Sequence, residues 1–193
     1  SDAATIDCAA DQCTGADDRD TCCDVKLWQP ADKDALQAVI DACVPENSNK
    51  DGSECYVCAD GTPKTSSTAS CDDGSTPQFI SDWDTSLVTD MYALFSRRKG
   101  FNQNINKWDT SSVTTMRRMF YEAEKFDSPI GDWDVSKVTT FDTMFRRAYV
   151  FNQDIGNWNT SSATNFYSMF RDANLFNQDI GKWDITAATN QNT

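Results

Sequence analysis

Residues 78–193 read as a repeat solenoid built from α/β coils of 25 residues with short parallel strands, joined to a small disulfide-rich N-terminal domain. Three observations predict this. Trp83, Trp108, Trp133, Trp158 and Trp183 recur every 25 residues without a slip. All eight cysteines (Cys8, Cys13, Cys22, Cys23, Cys43, Cys55, Cys58 and Cys71) fall within the first 71 residues. Residues 1–77 carry 16 acidic and 5 basic side chains, net −11, whereas residues 78–193 carry 14 and 12, net −2. The domain boundary is therefore placed at 77/78.

Other apolar columns keep the same period. Ile80, Ile105, Ile130, Ile155 and Ile180 form one, and Phe95, Phe120, Phe145 and Phe170 another. Phe101, Phe126, Phe151 and Phe176 form a third. A single 25-residue coil cannot close a core, but coils stacked in register place like on like and share one. Trp83, Trp108, Trp133, Trp158, Trp183, Ile105, Ile130, Ile155, Phe120, Phe145 and Phe170 are the expected core. The spacing F-x-x-x-I-x-x-W suits an extended segment. M-x-x-M-F-x-x-A carries apolar residues at i, i+3, i+4 and i+7, which predicts one or two helical turns. Between them D-T-S-S supplies a turn and a helix cap. Polar columns led by Asp84, Asp109, Asp134, Asn159 and Asp184, and by Asn102, Asn152 and Asn177, are expected to bond turn backbone and the neighbouring coil. A calcium or sugar site along the Asp column is the weaker reading, because Asn159 interrupts the charge.

The segment F-N-Q-D-I-G-N-W-N-T-S-S-A-T-N-F-Y-S-M-F at 151–170, with its copies at 101–120 and 126–145, resembles the repeat of BspA-like leucine-rich-repeat surface proteins, in the variant of Mycoplasma surface lipoproteins. The resemblance covers about 78–193. It implies four to five leucine-rich-repeat-like coils, exposure at a cell surface or secretion, and a role in adhesion or protein–protein contact. It supplies no catalytic residues.

The N-terminal domain, 1–77, holds eight cysteines and few large apolar residues, which in an oxidising compartment reads as a disulfide framework of unknown pairing. Cys22–Cys23 and the C-x-x-C of Cys55 and Cys58 raise metal or redox chemistry, but only one zinc-knuckle spacing is present. One helix is predicted near 30–43. Pro30 stands in its first turn, Leu36, Val39, Ile40 and Cys43 share a face, and Pro45 stops it. The loop beginning at Asn47 starts like an EF-hand but has Cys58 where the bidentate Glu belongs, so a structural turn is expected. Secretion is expected, with Ser1 as the residue left by a removed leader. Asn159-Thr160-Ser161 is a candidate N-glycosylation site.

With no histidine there is no Ser–His or Cys–His unit and no His-ligated zinc. Paired carboxylates would be the remaining route to catalysis, and turns account for the regular Asp columns. No catalytic residue, metal or cofactor is assigned. A net charge of −13 argues against nucleic acid, and no apolar run is long enough to span a membrane. The N-terminal domain is expected to cap the first coil. The last coil has no such cover, so a self-cap, further chain or another molecule is expected there. Candidate interface residues are Phe176, Ile180 and Ile185 at that end, with a stripe of Arg97, Arg98, Arg117, Arg118, Arg146, Arg147 and Arg171 on the outward side of the predicted helical turns. The alternative for these arginines is a solvated surface paired with Glu122, Asp142 and Asp172. The expected function is that of a secreted or cell-surface structural or adhesive protein acting through protein contacts. It would self-assemble head to tail as a filament or coat protomer, the acidic module of one copy meeting the repeats of the next. A receptor-like module binding a protein or glycan on its lateral face is the alternative.

Overall fold

A computed structural model describes residues 28–53, 55–64, 71–72 and 77–190. Cys8, Cys13, Cys22 and Cys23 lie outside the described residues. Helix α1 spans Lys33–Cys43. Asp32 caps it, its carboxylate accepting the Ala35 N–H at 3.0 Å, and Leu36, Val39, Ile40 and Cys43 form the buried face. Three two-residue strands follow: β1 (Tyr56–Val57), β2 (Pro63–Lys64) and β3 (Gln78–Phe79). They form an antiparallel sheet in the order β2-β1-β3, with Tyr56 opposite both Lys64 and Phe79. A 3₁₀ turn, Ile80–Asp82, leads into the repeats. Two disulfides, Cys43–Cys55 and Cys58–Cys71, tie α1 to the approach to β1 and β1 to the segment before β3.

The predicted leucine-rich-repeat-like solenoid of α/β coils with parallel strands is not what the chain forms. Among the described residues the one α-helix is α1 and the one sheet is the small antiparallel one, which ends where the repeats begin. The repeats consist of turns. Their parallel pairing is limited to isolated bridges, Asp90 to Thr115, Thr115 to Thr140, Thr140 to Asn165 and Asn165 to Asn190.

The backbone hydrogen bonds explain why M-x-x-M-F-x-x-A does not wind into a helix. The N–H groups of Met91, Ala93, Phe95 and Arg97 donate to the carbonyls of Thr115, Arg117, Met119 and Tyr121 in the next repeat, at 3.0, 3.0, 2.9 and 2.6 Å. The alternate N–H groups, of Ser96 and Arg98, close turns onto Ala93 and Phe95. Committing every second donor outside the segment leaves no i→i−4 ladder. The turns in turn require left-handed residues at fixed positions: Ala93, Arg118, Thr143 and Ser168 in one column, and Arg97, Glu122, Arg147 and Asp172 in another, with φ between 49° and 62°. The i, i+3, i+4 pattern that suits a helix is thus produced by consecutive tight turns.

Side chains hold the 25-residue register. Phe95, Phe120, Phe145 and Phe170 stack nearly parallel, with centroids 5.5, 5.6 and 5.8 Å apart. Each also stacks on the Phe of its own repeat, as Phe120 does on Phe126 at 3.8 Å. The indole N–H of Trp108, Trp133, Trp158 and Trp183 donates to the carbonyl of Ile80, Ile105, Ile130 and Ile155 in the preceding repeat. Asn102 accepts the Asp127 N–H, Asp127 that of Asn152, and Asn152 that of Asn177, each at 2.8 or 2.9 Å.

The N-terminal segment packs onto the first repeat, and one apolar cluster runs from Trp28, Leu36 and Ile40 through Ile80 to Met169. Trp28 extends the Trp column, meeting Trp83 edge-on at 5.0 Å. The loop after α1 lies beside residues 97–102: Asn47 N–H donates to the Arg97 carbonyl at 2.8 Å, and Asn102 N–H to that of Asp51 at 3.2 Å. The backbones approach so closely that a Cβ at Gly100 would overlap the Asn49 carbonyl.

Candidate functional site

Two surfaces bring together residues that the sequence singles out. The first is the exposed side of the last repeats. Trp83, Trp108, Trp133 and Trp158 are buried, as are Ile105, Ile130, Ile155, Phe120 and Phe145, whereas Phe170, Phe176, Ile180 and Trp183 are only partly covered. Ile185 is 45% and Leu175 58% exposed. Phe166, Met169, Phe170, Ile180, Trp183 and Ile185 line a groove of about 350 Å³. Phe166 still donates its N–H to Asn190, at 2.9 Å.

The second surface is lateral and basic. Six of the seven arginines of the expected stripe lie there, and one does not. Arg98 is 1% exposed and belongs to the junction, where its guanidinium pairs with Asp41 of α1 and donates to the Ser96 carbonyl at 3.0 Å. Burial lowers the pKa of that guanidinium in spite of the Asp41 and Glu46 charges beside it. The doublets Arg97–Arg98, Arg117–Arg118 and Arg146–Arg147 look alike in the sequence but occupy different positions of the repeat, and only the structure shows that the first points one member inward.

Several of the lateral arginines have carboxylate partners one repeat away. Arg117 reaches Asp142 at 2.8 Å, and Arg147 reaches Glu122 at 2.7 Å and Asp172 at 3.6 Å. Arg97 approaches Glu122 at 3.8 Å. Burial opposes the charge on Glu122, but hydrogen bonds from Tyr121 and Arg147 and the nearby arginine charges outweigh it and hold the carboxyl below its ordinary value. Arg118, Arg146 and Arg171 have no carboxylate within 4.0 Å among the described residues. Arg118 and Arg146 each place a guanidinium 5.8 Å from the Tyr121 ring centre, while Lys33 and Arg117 lie 5.1 and 5.7 Å from that of Tyr92. Sequence reasoning passed over the Tyr121 cluster. The signal was available: Arg146 stands 25 residues after Tyr121 and Arg118 three before it.

The Asp column closes turns. The carboxylates of Asp84, Asp109, Asp134 and Asp184, and the amide oxygen of Asn159, accept the N–H two residues on. Hydroxyl hydrogen bonds from Ser111, Ser136 and Thr186, followed by those backbone bonds, lower the pKa of Asp109, Asp134 and Asp184. No group of three or more Cys, Asp or Glu among the described residues is placed to hold a metal ion. Asn159 is exposed, at the surface end of its turn. No helix among the described residues is long and apolar enough to cross a membrane.

Neither a curated protein nor a solved structure matches the chain. A family model described as a Mycoplasma protein of unknown function, DUF285, matches residues 69–183, which is more than half of the sequence and nearly all of the repeats. This family is related to the BspA-like leucine-rich-repeat group that the repeat resembles, but is not the same. By that match, the chain belongs to the DUF285 family.

Proposed function

We propose that the protein is an extracellular or cell-surface structural protein that works through protein–protein contacts, with copies associating head to tail. The observation that carries this reading is the apolar groove lined by Phe166, Met169, Phe170, Ile180, Trp183 and Ile185. An exposed apolar surface of this kind takes up a second polypeptide by apolar burial. The acidic module of a second copy, net −11 over residues 1–77, offers opposite charge to the arginines of the repeats. The two disulfides fit an oxidising compartment, which supports a surface or secreted location.

Sedimentation of the purified protein across concentration and salt tests the reading. Concentration-dependent growth in mass is expected, and Ile185→Asp should weaken it while leaving the melting temperature unchanged. A wild-type chain that stays monomeric at every concentration and salt would rule the reading out.

A further inference from the structure

We infer that the lateral face around Tyr121 binds a linear acidic polysaccharide, one bearing sulfate or carboxylate groups along its length. The face is out of keeping with the rest of the molecule. The chain carries a net charge of −13, yet among the described residues the six guanidiniums here have three carboxylates within 4.0 Å, those of Glu122, Asp142 and Asp172. The local excess governs what docks, because charges farther off than about 10 Å are screened at ordinary salt.

The geometry of the excess narrows the ligand. Arg118 and Arg146 hold their guanidiniums at Tyr121 from consecutive repeats, and Arg171 continues the Arg146 column one repeat further. The backbone hydrogen bonds bear out that adjacency: Arg147 donates its N–H to the Arg171 carbonyl at 2.9 Å. Neighbouring repeats are spaced by the ring stack, at 5.5 to 5.8 Å. Arg146 and Arg171 therefore stand one repeat apart, roughly the interval between rings of an extended sugar chain, and Arg118 adds a third cation at Tyr121. Tyr121 lies against two of these cations and Tyr92 against Arg117, whose column also holds Tyr167, 40% exposed. Guanidinium forks match sulfate and carboxylate oxygens in paired hydrogen bonds, and phenol rings offer apolar faces to sugars. The Nε of Arg146 is buried without a hydrogen-bond partner, which holds the side chain against the repeat surface.

The test uses the full chain and a fluorescent dextran sulfate oligomer, with poly-glutamate and a DNA duplex of similar charge as competitors. Dextran sulfate should bind and release as salt rises. The double variant R118Q/R171Q should weaken binding about tenfold and flatten the salt dependence by about one unit of log–log slope for each guanidinium removed. R171Q alone, which alters an exposed side chain, should show part of that loss with an unchanged melting curve. Absence of binding at low salt, or equal binding by wild type and double variant, would overturn the inference. Equal or better competition by poly-glutamate would also overturn it and assign the cations to an acidic protein such as the second copy's N-terminal module. Preference for DNA would overturn it in favour of nucleic acid.

Discussion

Arg98 and Asp41 should respond to substitution in opposite ways, although they form one ion pair. Arg98 is 1% exposed at the junction of α1 with the first repeat, while Asp41 is 57% exposed on the helix. The Arg98 Nε has no hydrogen-bond partner, so the charge is only partly compensated as it stands. Removing the carboxylate in Asp41→Ala strands a buried cation, and breaking a buried pair from one side costs about 3 kcal/mol. For a chain of this size, that lowers the melting temperature by about 6–12 °C. Removing the cation in Arg98→Met leaves an aspartate that water already solvates and replaces a desolvated charge with an apolar side chain of similar length. The expected change is within about 1 kcal/mol of zero, with stabilisation the favoured sign. Thermal unfolding followed by near-ultraviolet circular dichroism of both variants and the double variant decides the matter. The double variant should resemble Arg98→Met. A larger loss from Arg98→Met than from Asp41→Ala would show that the guanidinium stabilises the junction by its own contacts and would refute the argument from desolvation.

Three further expectations can be checked by denaturation. Phe120→Ala opens the middle of two ring stacks and should cost about 3–5 kcal/mol, whereas Phe170→Ala, at the half-covered end, should cost clearly less; urea titration of both separates them. Gly100→Ala should destabilise by at least about 1–3 kcal/mol, because the added methyl meets the Asn49 backbone rather than a side chain that can move. The carboxyls of Asp109 and Asp134 have folded pKa values lowered by Ser111 and Ser136, so they contribute stability above the unfolded value of about 3.9 and lose it as pH falls through the folded values. Stability should therefore be flat above about pH 5 and fall below about pH 4, with a shallower fall in the Ser111→Ala/Ser136→Ala variant. Equal acid sensitivity of wild type and variant would remove the hydroxyls as the cause.

The interval between Trp83 and Trp183 shows where reading the sequence succeeds. Burial of Trp108, Ile130 and Phe145 follows from their spacing alone, because only register-keeping repeats can cover such large side chains. Helix α1 was legible from the apolar face of Leu36, Val39 and Ile40 and from Pro45, but Pro30, expected in its first turn, precedes it: the helix begins at Lys33, where the Asp32 carboxylate caps it. The backbone of the repeats was not legible. Apolar residues at i, i+3 and i+4 mark a helix when its N–H groups stay within the segment, and here half of them leave it for the next repeat. No residue type in the segment signals that choice, since its left-handed positions are held by Ala93, Arg118, Thr143 and Ser168 rather than by glycine.

The candidate surfaces divide in the same way. Composition and period by themselves determined that the cysteines gather in the first 71 residues and that Phe176 and Ile180 continue the apolar columns of the repeat. Only the tertiary structure decided that Arg98 turns inward to Asp41 while Arg118 and Arg146 meet at Tyr121. The physical reason is that a column in the sequence specifies which residues lie above one another. Which way each one points depends on how the turns of adjacent repeats share their hydrogen bonds, and that is settled between repeats rather than within any one of them.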